Sequence, residues 1–173
     1  MCGNSFFDYW RQFQVEIKVV RIFNTYGPNM QADDGRVISN FINQALSNQD
    51  LTIYGKGDQT RSFCYVDDLI VGLTGFMEVD HAVTGPMNLG NTEEITVLKL
   101  AEKIIELTRS KSEIIFKGLP EDDPIQRNPN IGLAKTYLDW SPRISLDEGL
   151  IKTIDYFKLK NSASHTANLR TLD

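Results

Sequence analysis

The chain has 173 residues, 41% of them hydrophobic and 24% charged, with a formal net charge of −5. That length suits one domain with a real buried core. The acidic balance excludes an extended nucleic-acid surface, which needs a basic stripe to meet phosphates. No apolar run approaches the ~20 residues that a membrane helix requires. Residues 1–10 show no basic stretch ahead of an apolar core, so no signal peptide is read there and a cytoplasmic setting is expected. Cys2 and Cys64 are far apart, and His81 and His165 are isolated, which matches no metal or redox spacing.

Residues 4–13 read as a helix, because Phe6, Phe7, Trp10 and Phe13 recur at a spacing of three to four. Residues 15–23 read as a strand rich in β-branched side chains: Val15, Ile17, Val19, Val20 and Ile22. The strand ends in the polar turn Asn24-Thr25-Tyr26-Gly27-Pro28. Ligands of open α/β sheets bind beyond the carboxyl ends of strands, which makes Asn24 and Thr25 candidates for ligand contact. Turn chemistry explains the same residues equally well. After a polar link at 33–36, residues 37–46 form a helix with Val37, Ile38, Phe41, Ile42 and Leu46 on one side.

The stretch 51–68 is the most informative. Two β-rich runs, 51–54 and 62–66, flank Gly55-Lys56-Gly57-Asp58, a tight connection that glycine makes possible. It fits a dinucleotide loop poorly, since Thr60 stands where a third glycine belongs and a β run follows instead of a helix. Arg61, at the head of the second run, can face a cleft and grip an anion with its fork of donors. Asp67-Asp68 then opens a helix over 69–77, with a carboxylate in the cap region.

Farther on come a short strand at 87–91, an amphipathic helix at 96–108 and a strand at 113–116. Residues 119–130 hold three prolines and no period, so they read as a loop. Its arginine, Arg127, is a candidate anion clamp, although a lone loop arginine is more often solvated. Helices follow at 131–138 and 146–159, broken at Trp140-Ser141-Pro142. Residues 161–173 are polar and patternless and read as a flexible tail, leaving one domain over 1–160.

Several of these stretches, in this order, resemble one family. Arg21-Ile-Phe-Asn-Thr-Tyr-Gly-Pro28, Ile53-Tyr-Gly-Lys-Gly-Asp-Gln-Thr-Arg61 and Tyr65-Val-Asp-Asp68 look like the C-terminal half of the extended short-chain dehydrogenase/reductases that act on nucleotide sugars. Asp34-Gly-Arg-Val-Ile-Ser-Asn-Phe-Ile42, Asn88-Leu-Gly-Asn-Thr-Glu-Glu94 and Asp122-Asp-Pro-Ile-Gln-Arg127 resemble the UDP-glucuronate decarboxylases in particular. The dTDP-glucose 4,6-dehydratases share the glycine turn but usually carry Arg-Pro-Gly-His-Asp where this chain has its Asp-Asp-Pro loop.

The resemblance implies an α/β fold: the end of a Rossmann sheet plus the substrate-binding lobe, with the N-terminal NAD-binding βαβ unit absent. By the same likeness, Arg61 and Arg127 match arginines that grip the sugar nucleotide's pyrophosphate. Asn24 matches an asparagine at the phosphate-sugar portion, and Tyr54 and Ile38 match residues of the nucleoside pocket. Thr25 and Arg36 resemble positions near the cofactor. The family's cofactor is NAD, which this chain alone is not expected to bind. Its catalytic Tyr-x-x-x-Lys pair falls just ahead of Met1, so no catalytic residue is expected here. Tyr156-x-x-x-Lys160 reads as an ordinary solvated helix face. Asn130 replaces an acidic residue common in its loop.

In the intact family, NAD oxidises the sugar at C4, the resulting β-keto acid loses carbon dioxide, and NADH returns the hydride. This chain therefore reads as the substrate-binding portion of such a decarboxylase, inactive alone. A dehydratase or epimerase portion, or a non-catalytic sugar-nucleotide module, are the alternatives. The expected partners are a UDP-sugar and either a second copy or an N-terminal half.

Overall fold

Alternating short strands and helices build two packed cores that share one strand. The computed structural model describes residues 3–32, 34–118 and 126–170. In chain order the helices are α1 (Gly3–Phe13), α2 (Val37–Leu46), α3 (Val66–Glu78), α4 (Val97–Thr108), α5 (Gly132–Leu138) and α6 (Leu146–Arg170). The strands are β1 (Val20–Ile22), β2 (Thr25–Tyr26), β3 (Leu51–Tyr54), β4 (Thr60–Ser62), β5 (Cys64–Tyr65), β6 (Met87–Leu89), β7 (Glu94–Thr96), β8 (Ile114–Lys117) and β9 (Gln126–Arg127). β1 pairs in parallel with β6, β2 with β5, and β3 with β8. β4 lies between antiparallel β7 and parallel β9. Parallel neighbours need a crossover between them, and the helices supply it.

The larger core gathers Ile38, Phe41 and Ile42 of α2, Leu51 and Ile53 of β3, Leu100 and Ile104 of α4, and Leu150, Ile154 and Phe157 of α6. Each helix contributes one stripe at a spacing of three or four, as amphipathic helices do. The smaller core holds Leu69 and Phe76 of α3, Met87 and Leu89 of β6, and Trp140. β5 is the seam. Phe63 and Tyr65 face the larger core, and Cys64 between them faces the smaller, because successive strand side chains alternate.

Several expectations change in detail. The strand read over 15–23 shrinks to Val20–Ile22, since only the three residues of β6 stand beside it as ladder partners. Just ahead of it, Lys18 turns aside and its Nζ donates to the carbonyls of Phe76 (2.8 Å) and Val79 at the C-terminal end of α3. The run read over 62–66 divides at Phe63 into β4 and β5.

Asp68 lies in the first turn of α3 but does not cap it. Its Oδ2 accepts from the backbone N–H groups of Arg143 (3.0 Å) and Ile144 (2.9 Å), tying α3 to the approach to α6. α6 continues past 159 to Arg170, because no glycine or proline follows Gly149 to stop it. Within the stretch read as a loop, residues 119–125 lie outside the described residues. Gln126 and Arg127 form β9. None of the described helices is long and apolar enough to cross a membrane.

Candidate functional site

The turn at Gly55-Lys56-Gly57 sets the geometry of the site. Both glycines have φ of 76°, the left-handed region that a side chain disfavours. A Cβ at Gly57 would also sit 3.1 Å from Leu98 Cβ and 3.2 Å from Ile53 Cγ2. The turn is held down by the start of α4: Leu98 N–H donates to Gly57 O (3.0 Å) and Val97 N–H to Gln59 O (3.1 Å). Thr96 caps that helix, its Oγ1 accepting from Lys99 N–H at 3.2 Å. β4 therefore leaves the turn in a fixed direction and carries Arg61 inward.

A cleft of about 750 Å³ opens over this turn. α2 forms one wall with Val37, Asn40, Phe41 and Gln44, again at helical spacing. β3 supplies Thr52 and Tyr54, β1 supplies Ile22, the link from β1 to β2 supplies Asn24, and β4 supplies Arg61. Arg61 is only 9% exposed, and its Nη1 donates to Thr60 O at 2.8 Å. Arg36 stands at the entrance to α2, where its Nε meets Asp34 Oδ2 at 3.4 Å. The other oxygen of Asp34 accepts from Arg36 N–H (3.1 Å) and Ser39 Oγ (2.6 Å), which fixes the turn into the helix.

Six of the seven candidate residues line this one cleft: Asn24, Thr25, Arg36, Ile38, Tyr54 and Arg61. Ile38 is a buried part of its floor, and Tyr54 is half exposed at its edge. Thr25 Oγ1 donates to Phe23 O at 3.2 Å. The side chain of Arg127 lies outside the described residues, but its backbone is in register with Arg61 across the β4–β9 ladder. Asn24 anchors its strand end through its carbonyl, which accepts from Cys64 N–H at 3.0 Å. Its side-chain Nδ2 is buried without a hydrogen-bond partner. A buried donor left unpaired is costly, which suits an amide that completes its bonding on a ligand.

Sequence reasoning missed Gln44, Gln59 and Lys117, which also line the cleft. The signal available for Gln44 was its place on the α2 stripe. Lys117 gave none, because its position depends on the pairing of β8 with β3.

Electrostatics give the cleft its character. The described lining residues include three cations, Arg36, Arg61 and Lys117, and no carboxylate. In a chain of net charge −5 this is a local reversal of sign, and it favours an anion. Two of the tyrosines nearby, Tyr26 and Tyr65, hold their protons more tightly than usual. Tyr26 donates its hydroxyl to Leu146 O (3.2 Å), and burial pushes its pKa well above the usual tyrosine value. Tyr65 is raised as well, first by burial. Tyr156 and Lys160 meet as a cation over a ring at 5.9 Å on α6. Among the described residues, no group of three or more His, Cys, Asp or Glu could hold a metal.

Residues 4–90 match the profile of the NAD dependent epimerase/dehydratase family. The chain is 51% identical over 154 residues to UDP-glucuronic acid decarboxylase 6 of Arabidopsis thaliana, a match covering 89% of this chain and 44% of that protein. It is 48% identical over 160 residues to UDP-glucuronic acid decarboxylase 1 of Xenopus tropicalis, covering 92% and 37%. Among solved structures it is similar to the UDP-glucuronic acid 4-epimerase of Bacillus cereus in complex with UDP-glucuronic acid and NAD. That likeness has a TM-score of 0.81 at 31% identity, over 88% of this chain and 48% of that one. The UDP-glucose 4-epimerase of Thermotoga maritima with UDP-glucose gives 0.83 at 27% identity, over 91% and 50%. The chain thus spans less than half the length of these decarboxylases.

Proposed function

Since this chain belongs to the NAD dependent epimerase/dehydratase family, we propose that its cleft holds the nucleoside diphosphate of a UDP-sugar. The supporting observation is the cluster of three cations without a carboxylate among the described residues lining the cleft. In this reading Arg61, with Arg127 on the neighbouring strand, grips the diphosphate, where guanidinium forks suit phosphate oxygens. Asn24 donates to the phosphate-sugar portion. Ile38 and Tyr54 line the nucleoside, and Thr25 and Arg36 stand on the cofactor's side.

The identity to UDP-glucuronic acid decarboxylases makes UDP-glucuronate the favoured substrate, and its decarboxylation the reaction of the complete enzyme. NAD supplies the hydride chemistry in that reaction. The residues described here do not fit it: no described strand runs through a Gly-x-Gly turn into a helix, and Tyr26 and Tyr65 hold their protons more tightly than usual. No step of the redox cycle is assigned to them. The chain alone is a substrate-holding portion, inactive without a partner that brings the cofactor. A second copy or a further polypeptide covers the apolar surface of α1 and β1.

Titration with UDP, followed by nuclear magnetic resonance shifts of the cleft residues, tests this reading. UDP binds weakly, and Arg61→Gln weakens it by about tenfold or more, as expected for a lost charged hydrogen bond. A thermal melt of the variant confirms that it is folded. Unchanged binding in Arg61→Gln ends the assignment. Micromolar binding by the isolated chain favours a non-catalytic sugar-nucleotide module instead. Carbon dioxide released on adding NAD and UDP-glucuronate overturns the inactivity.

A further inference from the structure

In the proposed function Lys117 counts only as one of three cations, with no contact of its own. The parallel register of β3 and β8 sets it beside Tyr54, at the carboxyl ends of both strands. Gly55 N–H donates to Lys117 O at 2.8 Å, which fixes the backbone at that pair. Both side chains line the cleft, as does Thr52, two residues back on the same face of β3. Gln44 of α2 closes this end: its Oε1 accepts from Thr52 N–H at 3.4 Å, so its NH2 is the group left to offer. This end of the cleft therefore presents a flat half-exposed ring, an ammonium that only donates, and an amide with a donor to spare.

The Asn24 side is different. Thr25 is in register with Cys64, and the neighbouring rings of the lining, Tyr26 and Phe63, are buried, so Tyr54 is the half-exposed ring of this cleft. Arg61 lies between the two ends in the chain, after the Gly55–Gly57 turn and three residues before Cys64. A diphosphate held at Arg61 sends its saturated sugar one way and its nucleobase the other. A base is planar and apolar on its faces, with carbonyl oxygens on its edge. It fits a tyrosine ring flanked by donors better than a sugar does.

We propose that Lys117 is a specificity residue: its Nζ donates to a ring carbonyl oxygen of the nucleobase while the base lies against Tyr54. This rests on the reading of the cleft as a nucleoside-diphosphate site. The favoured class is a carbonyl-bearing pyrimidine such as uracil. Adenine is disfavoured, because its edge has no carbonyl oxygen and sets an amino donor next to its ring-nitrogen acceptors. A site built to hydrogen-bond one edge rejects a base that cannot complete the bond.

The test compares UDP, ADP and inorganic pyrophosphate on wild type, Lys117→Met, Lys117→Arg and Arg61→Gln, by resonance titration at one fixed ionic strength. Met keeps the apolar stem and cannot donate. Lys117→Met weakens UDP by about tenfold, the equivalent of one hydrogen bond to a charged group. It also brings UDP and ADP to near parity and leaves pyrophosphate within about twofold of wild type. Lys117→Arg, which keeps a donor, retains most of the preference for UDP. Equal weakening of UDP and pyrophosphate makes Lys117 a rim charge only and overturns the inference. An unchanged UDP-to-ADP ratio does the same. If Arg61→Gln lowers UDP binding while Lys117→Met alters nothing, this inference falls and the cleft reading stands. If UDP fails to bind wild type, both fall.

Discussion

The two cores of this molecule are finished to different degrees. Among the described residues the larger one has sixteen buried apolar residues, mainly from α2, α4 and α6 around β3 and β5, against eight in the smaller one. Large apolar side chains face outward at Ile22 (56% exposed) and Met77 (75%) beside the smaller core and at Tyr9 and Phe13 of α1, and Phe116 and Leu159 do so on elements of the larger one. Met87 and Leu89 of β6 are fully buried against α3, but β1 beside them is largely exposed. Parallel sheets are normally covered on both faces. Most of the cleft wall and its cations therefore rest on the larger core, while the β1–β6 sheet, whose end supplies Ile22, and the link beyond it Asn24, to the cleft, is left largely exposed at β1.

The sharpest way to break that contrast is to damage the larger core. Phe157, Ile154 and Leu150 recur along α6 and point into it, and Phe157 has no exposed surface. Phe157→Ala leaves a cavity and costs about 3–5 kcal/mol in urea unfolding. UDP binding is lost with it, because α2 and β3, the walls of the cleft, pack on the same cluster. Met77→Ser, on the outward face of α3, changes stability by no more than about 0.5 kcal/mol. Comparable losses from the two variants would show that the cores are not unequal.

How much of this was legible depended on whether the decisive neighbours were near in sequence. α2 and β3 have the bounds that their patterns predict, because one apolar stripe and one alternating run coincide with what is buried. β1 is shorter than read, since a strand exists only where a distant partner meets it. Asp68 looks like a helix cap until the backbone of residues 143 and 144 is brought to it. At the site, Arg61 stood out through a local pattern of glycine turn and strand. Asn24, by its residues alone, was as well explained by a turn, and only resemblance to a family gave it a role. Lys117 and Gln59 carried no signal, because the fold places them in the cleft through the register of strands and the packing of a turn.

The seam between the cores offers a second test. Burial pushes the Cys64 thiol up to about 12, with Asp68 adding to the shift. Tyr26 and Tyr65, in register across the β2–β5 ladder, are raised too, first by burial. These groups keep in the folded state protons that the unfolded chain releases. The stabilisation is full below the ordinary thiol pKa of about 8.5 and falls as pH rises toward the folded values. Urea unfolding at pH 10.5 rather than 8 should show a loss on the order of 2 kcal/mol from Cys64 alone. Cys64→Ala removes that part of the slope. Since the seam serves both cores, tryptophan fluorescence of a Trp10→Phe variant, which leaves Trp140 as the emitter, and resonance shifts of α2 should move together. Separate alkaline transitions would mean that the cores unfold independently.

The smallest effect on stability belongs to the surface left open. On α1 the rings of Tyr9 and Phe13 lie 5.5 Å apart and Trp10 is 45% exposed, so three aromatics share one helix with little to cover them. Exposed patches of this kind often mark interaction surfaces, and among the described residues β1 has a ladder partner on one edge only. Light scattering of the chain at rising concentration should therefore show a mass above that of the monomer. Trp10→Ser with Phe13→Ser should return it to monomer while moving the unfolding midpoint by less than about 0.5 kcal/mol. Val71→Ser with Met77→Ser, on α3, serves as the control: relief by this pair instead would move the contact to α3. A wild type that stays monomeric throughout would show that the uncovered half is stable as it stands, and the inequality between the cores would then carry no consequence for assembly.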